Sequence, residues 1–528
     1  MVSPAESPSD PSRYDVVIIG GAFSGSALGI LLKRERPEIR ILILEKSTEF
    51  DRKIGESTSE VAGCFLTRVL GLSNYLAREH FQKHGLRMWF TTPENHDPGH
   101  CSEIGPFSQA RFPTYQLNRA KLDQHLLDEA RKLGCALVRP ATVKDLDLAG
   151  AGRSTVTFKA DGVTRTVTAG WVVDASGKAA LIARKRGTLV GLEDHPVHSM
   201  WVRFQNVRDL DSHACHMGAL KMQPTPVVSR GSATNHLMGR GWWSWIIPLA
   251  NGEFSAGVTW DERLCTPPAE GPVGERVKAH MLSHPVGKLM FENAVPVEND
   301  ARIYKHLPYR STEVCGDGWL AVGDAAGFMD PLYSHGLDFC AHSVYIANRV
   351  ILNALSGQCV KAHLAGHFEQ YQESYFRWFN ALYRGKYQYL GDARLMRAAF
   401  LLDIATYFIG PVQLVYRVTD LEFSKMPYNG PIGNVFAKFM ALYNRRLEVI
   451  ARKRLAAGTY GRENLDHSYL IRTPFNAGLG AMRHFFRGVS IWLGLELETL
   501  FRRPIPAPQH KPKPAKPVAS STEHEAVA

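Results

Sequence analysis

The sequence contains no pair of cysteines in the C-x-x-C spacing and no zinc-finger pattern. Its eight cysteines are scattered along 528 residues, which favours reduced thiols over a disulfide framework or a zinc site. His213, Cys215 and His216 lie close together, but a metal site there would need further ligands. We therefore predict no bound metal and no nucleic-acid-binding module.

A long uncharged segment is also missing, because no run reaches the roughly 20 residues of a membrane span. Residues 16–32 are apolar, but Arg13, Tyr14 and Asp15 precede them and no small-residue cleavage site follows. A signal peptide is therefore not expected. The net charge of +11, from 62 basic and 51 acidic residues, is modest for this length. These features predict a cytoplasmic protein without membrane contact.

The composition that is present, 45% hydrophobic and 21% charged residues, is typical of a globular protein. The chain is longer than one hydrophobic core usually serves, so two or three structural units are expected. Residues 1–12 are rich in Ser, Pro and Asp, and residues 503–528 are rich in Pro, Lys and Ala. Both ends are predicted to be disordered tails.

The first motif with a chemical meaning is a glycine-rich turn between two apolar segments. Residues 15–19 predict a buried parallel strand, 26–34 a helix, and 41–44 a second buried strand that ends at Glu45. Glycines let the backbone approach a pyrophosphate, and the acid accepts hydrogen bonds from ribose hydroxyls. We interpret the unit as dinucleotide-binding, although Ala22 replaces the second motif glycine. The turn consists of Gly20, Gly21, Ala22, Phe23, Ser24 and Gly25.

Four later segments could belong to the same site. A helix start is predicted at Ser57, after a basic loop. Arg119 lies in the first turn of a helix predicted at 118–133, where a cation is unfavourable. This position suggests an anionic partner, although a surface arginine is the alternative. Tight turns of small residues follow buried strands at 174–177 and 323–324.

The central part of the chain predicts a mixed β-sheet. Strands are expected at 200–204, 243–247 and 254–260, and Asn251-Gly252 predicts a hairpin turn between the last two.

One of these strands is unusually aromatic. Trp243, Trp245 and Ile247 alternate at period two and share one face, and Pro248 ends the strand. A plain core strand explains this pattern as well as a functional role does. Upstream, Lys83 precedes another predicted strand, and a lysine in this position is usually exposed to solvent.

The C-terminal part, from residue 366 to 500, is predicted to be mostly helical, with a break at Gly410-Pro411. Apolar residues between 482 and 500 recur near helical spacing, with Arg483 and Arg487 nearby. We expect this stripe to pack on the protein. A membrane-surface or carrier-protein face is the alternative.

Together, the motifs resemble flavoproteins of the group that includes aromatic hydroxylases, geranylgeranyl reductases and flavin-dependent halogenases. The resemblance covers roughly residues 14–345. It implies an α/β fold of the GR2 type, with a Rossmann-like FAD-binding core. The residues that it places at FAD are Gly20, Gly21, Ala22, Ser24, Gly25, Glu45, Lys46, Arg52, Ile54, Glu56, Ser57, Arg119, Asp174, Ala175, Ser176, Gly177, Gly323, Asp324, Pro331 and Gly336.

Three features resemble halogenases in particular. These are Trp243-x-Trp245-x-Ile247-Pro248, the segment Phe328-x-x-Pro331-x-x-Ser334-x-Gly336, and a lysine just ahead of a strand, Lys83. The resemblance implies that reduced FAD, delivered by a separate flavin reductase, reacts with O₂ to give a flavin hydroperoxide, which oxidises chloride or bromide to hypohalous acid. The resemblance then implies that Lys83 is the catalytic residue that activates hypohalous acid. It places the halide at Ser334, His335 and Gly336, and Trp243, Trp245 and Pro248 between flavin and substrate.

One departure bears on the substrate. Tryptophan halogenases carry a glutamate immediately before the motif serine, and this chain has Tyr333 there. The resemblance is therefore closer to halogenases of phenols and pyrroles, whose substrates are free or tethered to a carrier protein. The alternatives are an FAD-dependent aromatic monooxygenase, an isoprenoid reductase, or a flavoprotein that only binds a partner.

The resemblance also implies a domain organisation. The FAD-binding domain comes in two parts, 13–194 and 301–360. A substrate-domain sheet at 195–300 is inserted between them, and a helical region at 361–502 follows.

Overall fold

The computed structural model describes residues 12–150, 152–220, 229–357, 364, 366, 377, 380–416, 430–472 and 479–501. The predicted tails, apart from Ser12, and part of the predicted helical region lie outside these residues.

The described part of the chain is a mixed α/β fold, as the sequence predicts. Its helices, α1 to α12 in chain order, are Phe23–Glu35, Glu60–Cys64, Ser73–Glu79, Arg119–Lys132, Leu181–Arg186, Val273–Leu282, Pro285–Phe291, Gly336–Leu355, Ala393–Tyr407, Gln413–Val415, Gly430–Ala456 and Leu479–Phe501. Its strands, β1 to β22, are Arg13–Ile19, Ile41–Leu44, Phe81–Gln82, Leu86–Phe90, Ser102–Pro106, Tyr115–Gln116, Ala136–Val138, Thr142–Asp147, Ser154–Ala160, Val163–Asp174, Leu189–Gly191, Val197–Gln205, Thr234–Gly239, Trp242–Pro248, Phe254–Asp261, Val295–Pro296, Arg302–Tyr304, Tyr309–Ser311, Cys315–Gly316, Trp319–Ala321, Gly327–Phe328 and Ser468–Ile471.

One sheet carries the glycine-rich turn. Its parallel strands lie in the order β20, β10, β1, β2 and β7, and β8, β9 and β19 pair antiparallel at its margins. Val16 and Ile18 on β1 face one core cluster, and Val17 and Ile19 face another. Burial on both faces confirms the parallel strands predicted at the start of the chain. The carboxyl ends of these strands meet at one edge, which is where such sheets bind ligands.

The second large sheet has nine strands and extends beyond the predicted segment 195–300. Its order is β16, β12, β15, β14, β13, β4, β5 and β22, with β17 also pairing with β12. The parallel pairing of β4 with β13 brings residues 86–90 into this sheet. Strand register therefore joins residues that the predicted domain boundaries separate.

The tryptophan strand lies in the middle of this sheet, and its predicted alternation is confirmed. Trp243, Trp245 and Ile247 pack in the core cluster shared with the cofactor-binding part, while Ile246 faces a separate cluster. Pro248 is the last residue of β14. The hairpin to β15 forms as predicted.

The helix predicted to begin at Ser57 begins three residues later, so this prediction is wrong. Ser57 forms an isolated β-bridge with Gln116, and its hydroxyl bonds the Thr234 hydroxyl at 3.0 Å. These pairings hold residue 57 in an extended backbone. Ser59 is the N-cap, and α2 starts at Glu60.

The C-terminal helices pack together over the second sheet and the loops beside it. α9 contacts both α11 and α12. Phe485, Val489 and Trp492 on α12 pack on the core, whereas Phe486 and Leu493 are exposed. Residues Ala393–Val415 are long and apolar enough to span a membrane, and 72% of their most apolar window is buried inside the protein.

Candidate active site

The glycine-rich turn lies at the carboxyl end of β1. Gly20 has a φ of +105°, and a Cβ there would lie 2.4 Å from the Ala175 carbonyl oxygen. A Cβ on Gly25 would lie 1.9 Å from the Gly20 oxygen. Both glycines are therefore required by close backbone approach. The carboxylate of Glu45 accepts a 2.8 Å hydrogen bond from the Gly21 amide and a 2.9 Å bond from the Ser47 amide.

The Asp174–Gly177 turn meets the glycine-rich turn, but its acid has a structural task. The Asp174 carboxylate accepts hydrogen bonds from the Ser176 amide at 3.0 Å and the Ile182 amide at 2.8 Å. Burial raises the pKa of this fully buried group. Asp174 thus fixes the turn and the start of α5, while the Ala175 carbonyl oxygen lies directly against Gly20.

Arg119 is buried, and its guanidinium is paired within the protein. It forms an ion pair of 3.0 Å with Asp123, one helical turn later. It also donates to the carbonyl oxygens of Ile54 at 3.2 Å and Gly55 at 3.3 Å. The unfavourable helix-end charge is therefore compensated by an internal acid, and Arg119 holds the 52–58 loop against α4.

Arg52 and Glu56 in the same loop also form ion pairs within the protein. Arg52 pairs with Glu253 at 3.0 Å. Glu56 pairs with Arg203 at 2.5 Å, and Arg203 pairs in turn with Asp300 at 2.9 Å. Burial raises the pKa of Glu56, while the Arg203 charge opposes that rise. Nearby, Lys46 is exposed and Ile54 is half-buried.

Asp324 differs from these acids because no described residue donates a hydrogen bond to its carboxylate. It follows Gly323, where a Cβ would lie 2.6 Å from the Ser24 hydroxyl. Burial raises the pKa of Asp324 to about 6, and the Arg119 charge opposes that rise. A half-buried acceptor without a donor beside the glycine-rich turn fits the sugar-type hydroxyls of a dinucleotide.

The segment from Phe328 to Gly336 has an unusual backbone. Tyr333 and Ser334 both have left-handed conformations, with φ of 69° and 64°. Two consecutive non-glycine residues in this region are costly and tend to mark functional sites. Pro331 precedes this turn, and α8 starts at Gly336. The amides of the first turn of α8 therefore point toward the loop, a geometry suited to an anion.

A chain of hydrogen bonds joins this segment to the tryptophan strand. The Trp243 indole donates to the Tyr387 hydroxyl at 2.9 Å, and that hydroxyl donates to Asp330 at 2.8 Å. Trp245 donates to the Ser255 hydroxyl at 3.3 Å. The Trp243 and Trp245 rings lie 5.8 Å apart. The structure thus connects two motifs that are 80 residues or more apart in the chain.

Lys83 is buried, with an exposed fraction of 3%. Its ammonium donates a 2.6 Å hydrogen bond to the Thr58 carbonyl. Burial lowers its pKa to about 8, although the charges of Glu60 and Asp338 favour the protonated form. Lys83 is therefore not exposed to solvent, unlike most lysines that precede a strand.

Lys83 lines a partly open cavity, which three parts of the chain build. The lining consists of Thr58, Ser59, Glu60, Lys83, Gly85, Leu86, Gly105, Pro106, Thr114, Tyr333, His335, Leu382, Phe400, Asp403, Ile404, Tyr407, Phe408, Met440 and Ile471. The surface of the cavity is mostly apolar. The helical C-terminal region lines one side of the pocket.

Comparisons with known proteins identify the family of this chain. The tryptophan halogenase family model matches residues 99–388, more than half of the chain. The chain belongs to the tryptophan halogenase family. It is an enzyme, a flavin-dependent halogenase that uses FAD, halide and O₂.

Curated relatives are similar over most of this halogenase. It is 26% identical over 440 residues to flavin-dependent halogenase chlA of Dictyostelium discoideum, covering 75% of this chain and 70% of the relative. It is 24% identical over 485 residues to a 1H-pyrrole-2-carbonyl-(peptidyl-carrier protein) chlorinase of Pseudomonas fluorescens, covering 87% and 96%. The fold of halogenase PltM, in complex with phloroglucinol and FAD, matches with a TM-score of 0.70 at 16% identity, covering 91% of this chain and 96% of that one.

The halogenase has a buried polar network at Tyr333, which sequence reasoning missed. The Tyr333 hydroxyl donates to Asp403 at 3.0 Å, and Lys386 pairs with the same oxygen at 2.7 Å. Tyr443 donates to the other Asp403 oxygen. Asp403, an acid in the largely apolar helix α9, was the available signal, but only the folded chain brings it together with Lys386 and Tyr333.

Proposed function

We propose that this halogenase adds chlorine or bromine to a free, electron-rich aromatic substrate, of the phenol or pyrrole type, in the Lys83 cavity. The observation that carries the proposal is the buried Lys83 ammonium, which faces a mostly apolar cavity. A flat aromatic ring fits such a lining, and a desolvated ammonium polarises a bound reagent more strongly than it would in water.

The residue beside the halide segment supports the substrate class. Tyr333 stands where tryptophan halogenases carry a glutamate, and its hydroxyl is held by Asp403. A phenol or pyrrole ring is electron-rich enough to react without that glutamate. The names of two similar proteins agree with this class, since one acts on a pyrrole-2-carbonyl group and the other is in complex with phloroglucinol.

The cavity lining and one similar structure support a small free substrate. Phe400, Tyr407 and Met440 belong to α9 and α11, which line one side of the partly open cavity. Halogenase PltM, whose fold is similar, is in complex with phloroglucinol, a free phenol. We therefore place small free phenols ahead of carrier-bound acyl groups.

The residues that would hold FAD are those of the glycine-rich turn, Glu45 and the Gly323-Asp324 turn. When bound, reduced FAD supplies the electrons with which O₂ is activated to convert halide to hypohalous acid. Arg119, Arg52, Glu56, Ser57 and Asp174 support this site by holding its loops, and Lys46 is left on the surface. A separate flavin reductase would deliver the reduced cofactor.

The halide would lie at the turn formed by Ser334, His335 and Gly336, where the amides that begin α8 favour an anion. Trp243 and Trp245, with Pro248 at the strand end, would separate the flavin from the substrate. Hypohalous acid would reach Lys83, whose ammonium hydrogen-bonds the oxygen and makes the halogen more electrophilic.

A single assay tests the proposal. Purified enzyme receives FAD, a flavin reductase and a panel of free phenols including phloroglucinol, with and without chloride or bromide. We expect products with the halogen isotope pattern by mass spectrometry, and none from Lys83→Ala, which should bind FAD normally. Hydroxylated products without a halide requirement would instead indicate a monooxygenase. Products formed only from carrier-bound substrates would overturn the free-substrate proposal.

A further inference from the structure

The Lys83 cavity contains a second ionisable group that the proposed function does not use. Glu60 is the first residue of α2, two residues after the Thr58 carbonyl that binds Lys83. Its half-buried side chain lines the same cavity. Its own backbone amide donates to its carboxylate, but no side chain among the described residues donates a hydrogen bond to it or forms an ion pair with it.

The neighbouring acids, in contrast, already accept hydrogen bonds from other side chains. Both oxygens of Asp403 accept hydrogen bonds, as described above. Asp338 accepts hydrogen bonds from the Ala62 amide at 2.9 Å, from Tyr407 at 3.3 Å and from the Ser59 hydroxyl, and His335 lies 3.1 Å from it. Glu60 is therefore the one cavity carboxylate, in the described part of the chain, with accepting capacity left for a substrate.

The electrostatic surroundings suit proton transfer. Burial raises the pKa of Glu60 and lowers that of Lys83 to about 8, so both groups move toward neutral pH. Lys83 and His335 oppose the rise of the Glu60 pKa, whereas Asp338 adds to it. Burial raises the pKa values of the Tyr407 and Tyr416 hydroxyls, and the charge of Glu60 adds to both rises. The charges of Lys83 and Glu60 interact although the two form no ion pair, and both side chains line the same cavity.

We propose that Glu60 is a second catalytic residue, the general base that accepts the proton lost by the aromatic ring. The ring carbon forms its bond to the halogen as the halogen–oxygen bond of hypohalous acid breaks. The Lys83 ammonium gives a proton to the departing hydroxide, which becomes water. The Glu60 carboxylate takes the ring proton, and that proton then returns to the Lys83 amine. The net change is ring hydrogen for halogen, with one water formed.

The neighbouring tyrosine cannot take this role in its present arrangement. The Tyr333 hydroxyl proton is directed at Asp403, and burial, with the Asp403 charge, holds the Tyr333 pKa well above its ordinary value. The base thus comes from α2 rather than from the halide segment. This inference rests on the proposed halogenation of a free aromatic ring.

The test compares Glu60→Gln, which keeps the shape but not the charge, with Glu60→Asp, which keeps the charge. Glu79→Gln is the matched control, because Glu79 pairs with Lys121 on the surface. Each variant is assayed with FAD, a reductase, halide and the best phenol of the panel, with and without deuterium at the halogenated position. A hypohalite trap is measured in parallel, and melting temperatures report folding.

We expect Glu60→Gln to lower kcat for halogenated product about 100- to 1,000-fold, with hypohalite formation unchanged. A primary deuterium isotope effect should appear in Glu60→Gln and be absent in the wild type and in Glu79→Gln. Glu60→Asp should retain part of the activity. If Glu60→Gln does not fold, the isotope effect in Glu60→Asp decides in the same way.

Wild-type kcat in Glu60→Gln, or no isotope effect in a folded variant that keeps its activity, would overturn the role of Glu60. Equal loss of hypohalite and product would also overturn it, because Glu60 would then act before ring substitution. A wild-type enzyme that halogenates no free aromatic compound would instead refute the proposed function, so the two failures are distinguishable.

Discussion

The ammonium of Lys83 donates a 2.6 Å hydrogen bond to the carbonyl oxygen of Thr58, beside a cavity that the C-terminal helices line on one side. This bond orients the Lys83 side chain from the segment that carries Ser57 and leads into α2 at Glu60. Backbone bonds fix the lysine from the other side, since its amide donates to the Thr114 carbonyl at 2.9 Å. The cavity side of Lys83 is thus held by main-chain groups, which no single side-chain substitution removes.

The pH dependence of halogenation should report the protonation of Lys83. Burial lowers its pKa to about 8, so the ammonium that polarises hypohalous acid is lost as pH rises above 8. We expect kcat to fall by about tenfold per pH unit beyond that point. The measurement is a profile of kcat between pH 6 and pH 10 with excess reductase. A rate that rises through pH 8 would show that the neutral amine is the active form.

Removing the buried charge should stabilise the fold. The unfolded Lys83 has the ordinary pKa of 10.5 and the folded one about 8, so protonation disfavours the folded state below pH 8. We expect Lys83→Met to raise the free energy of unfolding by about 1–3 kcal/mol at pH 7. The advantage should shrink as pH rises from 8 toward 10.5. Urea unfolding at pH 7 and pH 10 measures it.

A surface change is the control for that experiment. Lys121→Met removes an exposed ion pair with Glu79, which is worth little, and its effect should not differ between the two pH values. Equal stability of wild type and Lys83→Met at pH 7 would contradict the lowered pKa.

Tyr333 can be tested with two substitutions that should destabilise the fold to different extents. Tyr333→Phe removes one hydrogen bond to Asp403, whose Lys386 partner remains, so the expected cost is about 1 kcal/mol and halogenation should persist. Tyr333→Glu places a second carboxylate beside Asp403 with one lysine for both. We expect it to lower the free energy of unfolding by about 3–5 kcal/mol at pH 7. Chemical denaturation and product yield measure both; a stable, active Tyr333→Glu would refute this account.

Asp324 should contribute to FAD affinity. Its carboxylate lacks a donor among the described residues, and it lies at the end of β20 beside the glycine-rich turn. Loss of hydrogen bonds to a charged acceptor costs about 1.5–3 kcal/mol, so we expect Asp324→Ala to weaken FAD binding by about 10- to 100-fold. Fluorescence titration with oxidised FAD gives the Kd.

The same titration includes a control at the other end of the strand. Asp317 is exposed in the turn before β20, so Asp317→Ala should bind FAD as the wild type does. If both variants bound FAD with unchanged affinity, Asp324 would have no part in the cofactor site.

Local sequence patterns were sufficient for the parts of this protein that depend on neighbours in the chain. The strand–turn–helix unit from residue 15 to Glu45 could be predicted because hydrophobic period and glycine positions act within a few residues. The faces of the tryptophan strand followed from alternation alone. The start of α2 could not be predicted, because the pairing of Ser57 with Gln116 overrides its preference as a helix cap.

The sequence by itself determined the cofactor-binding unit, the tryptophan strand and the motifs of a flavin-dependent halogenase. Only the tertiary structure decided which polar groups are free to act. Arg119, Glu56 and Asp174 are bound to partners within the protein, while Asp324 and Glu60 are left with accepting capacity. The physical reason is that the partners of a charged or polar group come from distant segments of the chain, such as Thr58 for Lys83 and Asp403 for Tyr333. A local sequence pattern does not specify such contacts.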